Sequence, residues 1–347
     1  MYKTVEVPLS GHPDKVCDQI VEGLLDEYLR RDPKSRVGLK ACGSNGMLMI
    51  GGTVDSRADF DASALAKKIY QDIGYLDDIE PFVNIERPTE DLAKTIISGG
   101  AQGTATVYGY ATKETREFLP RAFVYANAIA RRIDDLRKLN EAFSFLLPDG
   151  KVQVTMDGER IIAVTISVQH DQSVDRNIVQ SSILENAIMP IIGNDTGVMI
   201  FVNSAGAFSE GGLSAGAGAS GRKILADTYG GLLPHCGAIF CGRDPLQPSR
   251  AGTFMARYVA KNLVAQGVAG NILITVGYAI GHHEPIFLQA VTGKGEDITQ
   301  VVKDKFDFRP EAIVERLNLR QPFYQRMSVN GYFGKDGAPW EEVDEDK

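Results

Sequence analysis

Apolar Val16, Ile20, Leu24 and Tyr28 recur at helical spacing with charged residues between them, so residues 11–31 read as a loop running into an amphipathic helix. The polar group Gly11-His12-Pro13-Asp14-Lys15 falls at its entrance. Helical periodicity returns over 62–74, 115–139, 176–189 and 250–267, and apolar strand patterns cover 197–203 and 271–280. Two stretches alternate instead: 37–54 around Asn45-Gly46, and 151–169 around Asp157-Gly158. Each is a hairpin signal, because these dipeptides reach the left-handed backbone that a tight turn requires. A glycine-rich stretch, 205–221, separates a strand from later helices. This order is mixed, with no sequence repeat of fixed period. It predicts helices layered on antiparallel or mixed sheets and not a regular βαβ winding.

The 347 residues predict two or three domains or one large multi-lobed unit. A hydrophobic share of 44% and a charged share of 24% are those of an ordinary globular chain, with a like-charged block only at the acidic end, Glu341 to Asp346. A formal charge of −8 argues against nucleic acid as a partner, since that grip rests on many cations against phosphate. The first residues, MYKTVEVPLSGHPDK, lack a signal peptide's apolar core, and no run approaches a membrane span, so a soluble, cytoplasmic protein without a membrane partner is expected. Cys17, Cys42, Cys236 and Cys241 match neither a zinc pair nor a short disulfide framework.

Three groups of residues carry candidate chemistry. In the first, Lys15 would balance phosphate charge, His12 would donate to a phosphate oxygen and Asp14 would hold a hard divalent ion; the alternative is a helix cap with exposed charges. Lys151 in Pro148-Asp149-Gly150-Lys151, Arg222 and Lys223 after Gly221, and Arg243 in Gly242-Arg243-Asp244-Pro245 add cations in short loops flanked by glycine or proline. They form either an anion pocket or a solvated surface. The third is the stretch from Ala205 to Lys223, whose six glycines permit close approach to a ligand. It lacks the spacing of a Walker loop, and Phe208 within it either stacks on a purine or pins the loop to the core. No HExxH or CxxC occurs, and His282-His283 lacks a second ligand cluster.

Eleven blocks in this order resemble the S-adenosylmethionine synthetase family: GHPDKVCDQI (11–20), NGMLMIGGTV (45–54), GYAT (109–112), LPDGKVQVT (147–155), SVQHD (167–171), GRKILADTYGG (221–231), PHCGAIFCGRDP (234–245), ARYVAKNLVAQGVA (256–269), GYAIGHHEP (277–285), FDFRPEAI (306–313) and YFGKDGAPWE (332–341). The resemblance implies an α+β fold of three similar lobes around a pseudo-threefold, each a mixed sheet under helices and built from non-consecutive segments. These are 1–10 with 115–212, 11–92 with 213–251, and 93–114 with 252–347. It implies a homodimer with sites between subunits, or a dimer of dimers, and the transfer of adenosyl from ATP to the sulfur of L-methionine, with hydrolysis of the released triphosphate to phosphate and pyrophosphate. By position, His12 would bond the leaving oxygen region and Asp14 would bind Mg2+. Lys15, Lys151, Arg222, Lys223 and Arg243 would hold the polyphosphate. Asp149 would lie near the nucleoside, with Phe208 and Ile239 near the base.

The chain departs from the family at the methionine end. Lys40 stands where the family has a potassium-ligating Glu, and Gly99-Gly100-Ala101-Gln102-Gly103 lacks the family's Asp. Gly216 replaces an acidic residue, Thr53 a Glu, Gln247 a Lys and Ser249 an Asp that binds a second magnesium, which makes Thr53, Gln102 and Gln247 candidates for a rebuilt methionine pocket. Three readings follow. Asn84, Glu86, Glu90 and Asp91 take over the methionine contacts; or the chemistry serves another acceptor or a triphosphatase; or the chain is a non-catalytic subunit of a larger assembly. Lys40, a compact monovalent cation on a flexible stem, fits the place of the potassium ion, or else faces solvent at an abandoned site. Activity is therefore expected to be independent of potassium; strong stimulation of the purified protein by KCl would defeat that expectation.

Overall fold

The computed structural model describes residues 2–91, 100–194 and 197–344. A helix followed by a β-hairpin occurs three times along the chain. The helix Pro13–Arg31 leads into β2 (Arg36–Ser44) and β3 (Met47–Asp55). The helix Arg121–Leu139 leads into β6 (Leu146–Asp157) and β7 (Arg160–His170), and the helix Pro248–Ala265 into β10 (Asn271–Tyr278) and β11 (Phe287–Thr292). Remote segments complete each sheet: β1 (Tyr2–Pro8) pairs with β6, β5 (Ala105–Thr112) with β10, and β9 (Ala217–Ala219) with β2. The sheet orders are β1-β6-β7-β8, β4-β3-β2-β9 and β11-β10-β5, where β4 is Glu80–Glu86 and β8 is Met199–Val202. The first two are mixed, through the parallel pairs β7–β8 and β3–β4, while the third is wholly antiparallel.

Each long helix covers one sheet, and its start is locally encoded. Pro13 occupies the first turn of its helix, where no backbone partner is missed, and the His12 side chain accepts the Asp14 N–H. The hairpin turns form as expected, with φ of 50° at Asn45 and 76° at Gly46. Two helices differ from their predicted bounds. The 115–139 pattern becomes helical only at Arg121, because Pro120 sits at the cap in extended conformation. The 176–189 pattern runs on to Ile192 through a π turn at Leu184–Ile188. Pro190 offers no N–H to the Asn186 carbonyl, and Arg132 Nε takes that acceptor at 3.0 Å.

The first helix is less amphipathic than its periodicity suggests, because its polar positions are buried as well. Asp14, Lys15, Asp18, Gln19 and Glu22 are all inside, between the β2–β9 sheet and the 240–254 and 324–332 segments. Each charge meets a partner, as buried charges must. Arg250 Nη2 reaches Glu22 at 2.6 Å and the Phe240 carbonyl at 2.5 Å, and its guanidinium lies 4.2 Å over the Tyr324 ring. The chain end is fixed in the same way: Glu341 accepts from Arg257 at 2.7 Å and Lys261 at 2.9 Å, while Trp340 stacks on Phe254 at 3.7 Å.

Sheet and helix approach most closely at Gly109, where a Cβ would stand 2.0 Å from the carbonyl carbon of Ala256. The obstacle is backbone and cannot rotate aside. Gly109→Ala is expected to lower the unfolding free energy by about 1–3 kcal/mol or more, read as a shift of the denaturant midpoint at constant slope.

Candidate active site

Two cavities collect most of the candidate residues. The first, about 560 Å3, is lined by His12 and Asp14 from the first helix entrance, Asp149 and Lys151 from β6, Phe208 and Gly216 from the glycine-rich stretch, and Arg222 and Lys223 beyond it. The second, about 380 Å3, is lined by Lys40 of β2, Gln102, Ile239, Arg243, Gln247 and Ser249.

In the first cavity charge is tightly ordered. Asp14 receives the Ala219 N–H at 2.9 Å and Lys223 Nζ at 2.6 Å, with Arg222 Nε at 3.6 Å. Burial works against the charged carboxylate, but Lys223 and the Ala219 amide outweigh it and hold Asp14 below its ordinary pKa. Burial lowers His12 to about 4, reinforced by Lys223, so its imidazole is neutral at physiological pH. Its Nδ1 accepts the Asp14 N–H at 3.2 Å, which leaves the proton on Nε2. Asp149, pushed up to about 6 by burial, accepts the Gly212 N–H at 2.9 Å. Lys151 is half-exposed beside Glu6 at 3.1 Å.

Residues that sequence reasoning left without a role organise this pocket. Gln169 accepts the Asp149 N–H and donates to the Ser209 carbonyl, both at 3.1 Å. His170 N–H donates to the Phe208 carbonyl at 2.8 Å, so Phe208 is held by its backbone while its ring lines the cavity. Asn203, at a left-handed φ of 45°, clamps both backbone groups of Val168 at 2.9 Å. The available signal was an Asn directly between a strand and a glycine-rich loop, a position such residues occupy because they tolerate that conformation.

Lys15 does not join the pocket. Its ammonium is fully buried, 2.9 Å from Asp18 and 2.7 Å from Asp227. Burial would lower its pKa, yet these two carboxylates raise it above the ordinary value, so Lys15 is a fixed internal cation and not a free phosphate ligand. Within one protomer Phe208 and Ile239, both expected near the base, line different cavities.

Among the described residues, the charged side chains on the wall of the second cavity are both cationic, Lys40 and Arg243. Gln247 Nε2 donates to Gln102 Oε1 at 3.2 Å, so two of the candidate methionine-pocket residues engage each other. Thr53 stands opposite Gly38, which bridges to Arg243, and is not on the wall. Neither cavity is lined by Asn84, Glu86, Glu90 or Asp91, and residues 92–99, including Gly99, lie outside the described residues. Among the described residues there is no cluster of three or more His, Cys, Asp or Glu placed to hold a metal, His282-His283 included.

The chain matches three consecutive domain descriptions: S-adenosylmethionine synthetase N-terminal domain over residues 1–88, central domain over 98–208, and C-terminal domain over 210–342. The chain belongs to the S-adenosylmethionine synthetase family. It is 37% identical to an S-adenosylmethionine synthase of Petrotoga mobilis, covering 100% of this chain and 97% of that protein. It is likewise 37% identical to one of Sorangium cellulosum, over 98% of this chain and 87% of that protein, and 36% identical to one of Aquifex aeolicus, over 98% and 96%. These linear domains do not coincide with single sheets: β1 lies in the N-terminal match yet pairs with β6 of the central one, and β9 of the C-terminal match pairs with β2 of the N-terminal one.

If the first cavity grips an anion, losing the half-buried cation paired with Asp14 is costly. Lys223→Ala is expected to weaken binding of inorganic tripolyphosphate about 10- to 100-fold in calorimetric titration, the equivalent of one charge-assisted hydrogen bond. Arg222→Ala is expected to do less, because 60% of that side chain is exposed and screened.

Proposed function

We propose that the protein is a methionine adenosyltransferase, forming S-adenosylmethionine, phosphate and pyrophosphate from ATP, L-methionine and water. The observation that carries this reading is the convergence of Lys151, Arg222 and Lys223 with neutral His12 around Asp14, in a chain whose net charge is −8. Methionine sulfur attacks C5′, the C5′–O bond breaks, and its electron pair leaves with triphosphate, so the catalyst must receive negative charge on the leaving oxygen. Fixed cations and a neutral N–H donor do that without a proton being lost from His12. No enzyme nucleophile is required.

A divalent cation, taken as Mg2+, fits Asp14, because such ions are held through one or two carboxylates together with substrate phosphates. When bound it supplies positive charge at the phosphate oxygens. Lys223, now the counter-ion of Asp14, is free to turn to phosphate in its presence. Asp149 serves the nucleoside end, Phe208 the base, and Arg243 with Lys40 the anionic groups reaching the second cavity.

The two cavities are separate in one protomer, which supports a homodimer, or a dimer of dimers, in which the first cavity of one chain is completed by the second of its partner. The outer face of the β4-β3-β2-β9 sheet favours this pairing: it carries Lys40 beside the exposed side chains of Met47, Met49 and Phe82. No helix among the described residues is long and apolar enough to cross a membrane, and a cytoplasmic setting is part of the proposal. A different acceptor is favoured by one feature: among the described residues no carboxylate stands on the second cavity's wall, where an amino acid's ammonium would need one.

Mass spectrometry of products from ATP and Mg2+ distinguishes these readings: S-adenosylmethionine with phosphate and pyrophosphate, appearing only with methionine, is expected. ATP left untouched by methionine, or cleaved without a sulfonium product, would defeat the assignment. In the same assay kcat/KM for ATP is expected to fall as pH drops through about 6, where Asp149 is protonated, with no limb from His12 until about 4. This limb is not acid unfolding at Asp149. A carboxyl with a raised folded pKa takes up its proton more readily when folded, so protonation in that window favours the native state. Asp149→Asn is expected to abolish the limb.

A further inference from the structure

Asp18 lies outside both cavities and has no place in the chemistry above, yet its carboxylate touches the segments that carry the cations of both. It is fully buried on the first helix. Oδ1 accepts the Gly221 N–H at 2.7 Å and the Cys241 S–H at 3.1 Å, while Oδ2 accepts Lys15 Nζ at 2.9 Å. Gly221 immediately precedes Arg222 and Lys223 of the first cavity. Cys241 lies two residues after Ile239 and two before Arg243, both of the second.

The surroundings leave little freedom for either segment to move alone. Gly221 has a φ of 82°, and a Cβ there would stand 2.2 Å from Ile239 Cγ2, so the turn is wedged between Asp18 and the second cavity's wall. Lys15 binds Asp227 four residues beyond Lys223, fixing the far end of that turn. On the other side, the Leu39 N–H donates to the Gly242 carbonyl at 2.8 Å, which ties the Cys241–Arg243 segment to β2 beside Lys40. A carboxylate oxygen with two donors and an internal counter-ion is a rigid joint in a low-dielectric interior.

Resting on the triphosphate reading of the first cavity, we infer that Asp18 is a positioning residue: one of its carboxylate oxygens sets the Arg222–Lys223 turn in register with the Ile239–Arg243 segment, so both anion-holding elements depend on it. Asp18→Asn keeps the volume but supplies one acceptor oxygen and one donor. Whichever way the amide turns, a donor faces either the Gly221 N–H or the Lys15 ammonium, and one contact is lost.

The test is calorimetric titration of the full-length protein with inorganic tripolyphosphate and Mg2+, reading Kd and stoichiometry separately. A residue needed only for folding reduces the fraction of competent sites and leaves Kd unchanged; a positioning residue raises Kd at unchanged stoichiometry. Asp18→Asn is expected to raise Kd about tenfold. Cys241→Ala, which removes one donor to Asp18, is expected to raise it about threefold, and Cys241→Ser, which restores an O–H donor, to return it within twofold of the parent. A Kd within twofold of the parent in Asp18→Asn overturns the inference, as do Cys241→Ala and Cys241→Ser that behave alike. Should Asp18→Asn fail to fold, the two Cys241 variants decide. Absence of tripolyphosphate binding by the parent protein would instead defeat the reading of the first cavity itself.

Discussion

The structure turns on a buried ion cluster, Lys15 held between Asp18 and Asp227 with no solvent contact. Removing three charges from water is strongly unfavourable, and it is offset only when the geometry is good and the remaining lone pairs are satisfied. Both conditions hold here: the contacts are 2.7–2.9 Å, and Asp18 takes two further donors. An alternative register of the first helix would leave a buried charge unpaired. The cluster fixes the helix entrance, and with it His12 and Asp14, against the loop that brings Arg222 and Lys223.

Around that joint the site works by desolvation. In an acidic chain, cations gather where burial and glycine-rich backbone let them converge, and the same burial strips the proton from His12 and raises Asp149. Phosphate ligands and neutral donors can then coexist in one pocket. The second cavity repeats the cationic character with Lys40 and Arg243, and among the described residues no carboxylate stands on its wall. The two halves differ in what they can neutralise, and their separation within one protomer is what the dimer proposal builds on.

Much of the fold was legible in the sequence because its signals are local. Asn45-Gly46 and Asp157-Gly158 mark real hairpins, and the periodicity of Val16, Ile20, Leu24 and Tyr28 marks a real helix. What failed was tertiary. Nothing local says that the polar face of that helix is covered too, so Lys15 reads as a ligand when it is an internal counter-ion. Pro120 marks a later helix start than periodicity suggests, and the helix through Pro190 continues by way of a π turn that periodicity does not show. His12, Asp14, Lys151, Arg222 and Lys223 line one cavity although they are far apart in sequence. Cations in short glycine- and proline-flanked loops left a pocket and a solvated surface both open, and the collinear family blocks favoured the pocket. Within one protomer Phe208 and Ile239 line different cavities, a separation that the sequence blocks do not encode.

Amine-reactive footprinting of the native protein, read by mass spectrometry with and without tripolyphosphate and Mg2+, tests this arrangement most directly. Lys151 and Lys223 should label in the free protein and be protected by the anion, while Lys15 stays unlabelled in both states and surface Lys34 labels equally in both. Labelling of Lys15 in the free protein with protection by tripolyphosphate, or no protection of Lys223, would contradict the account.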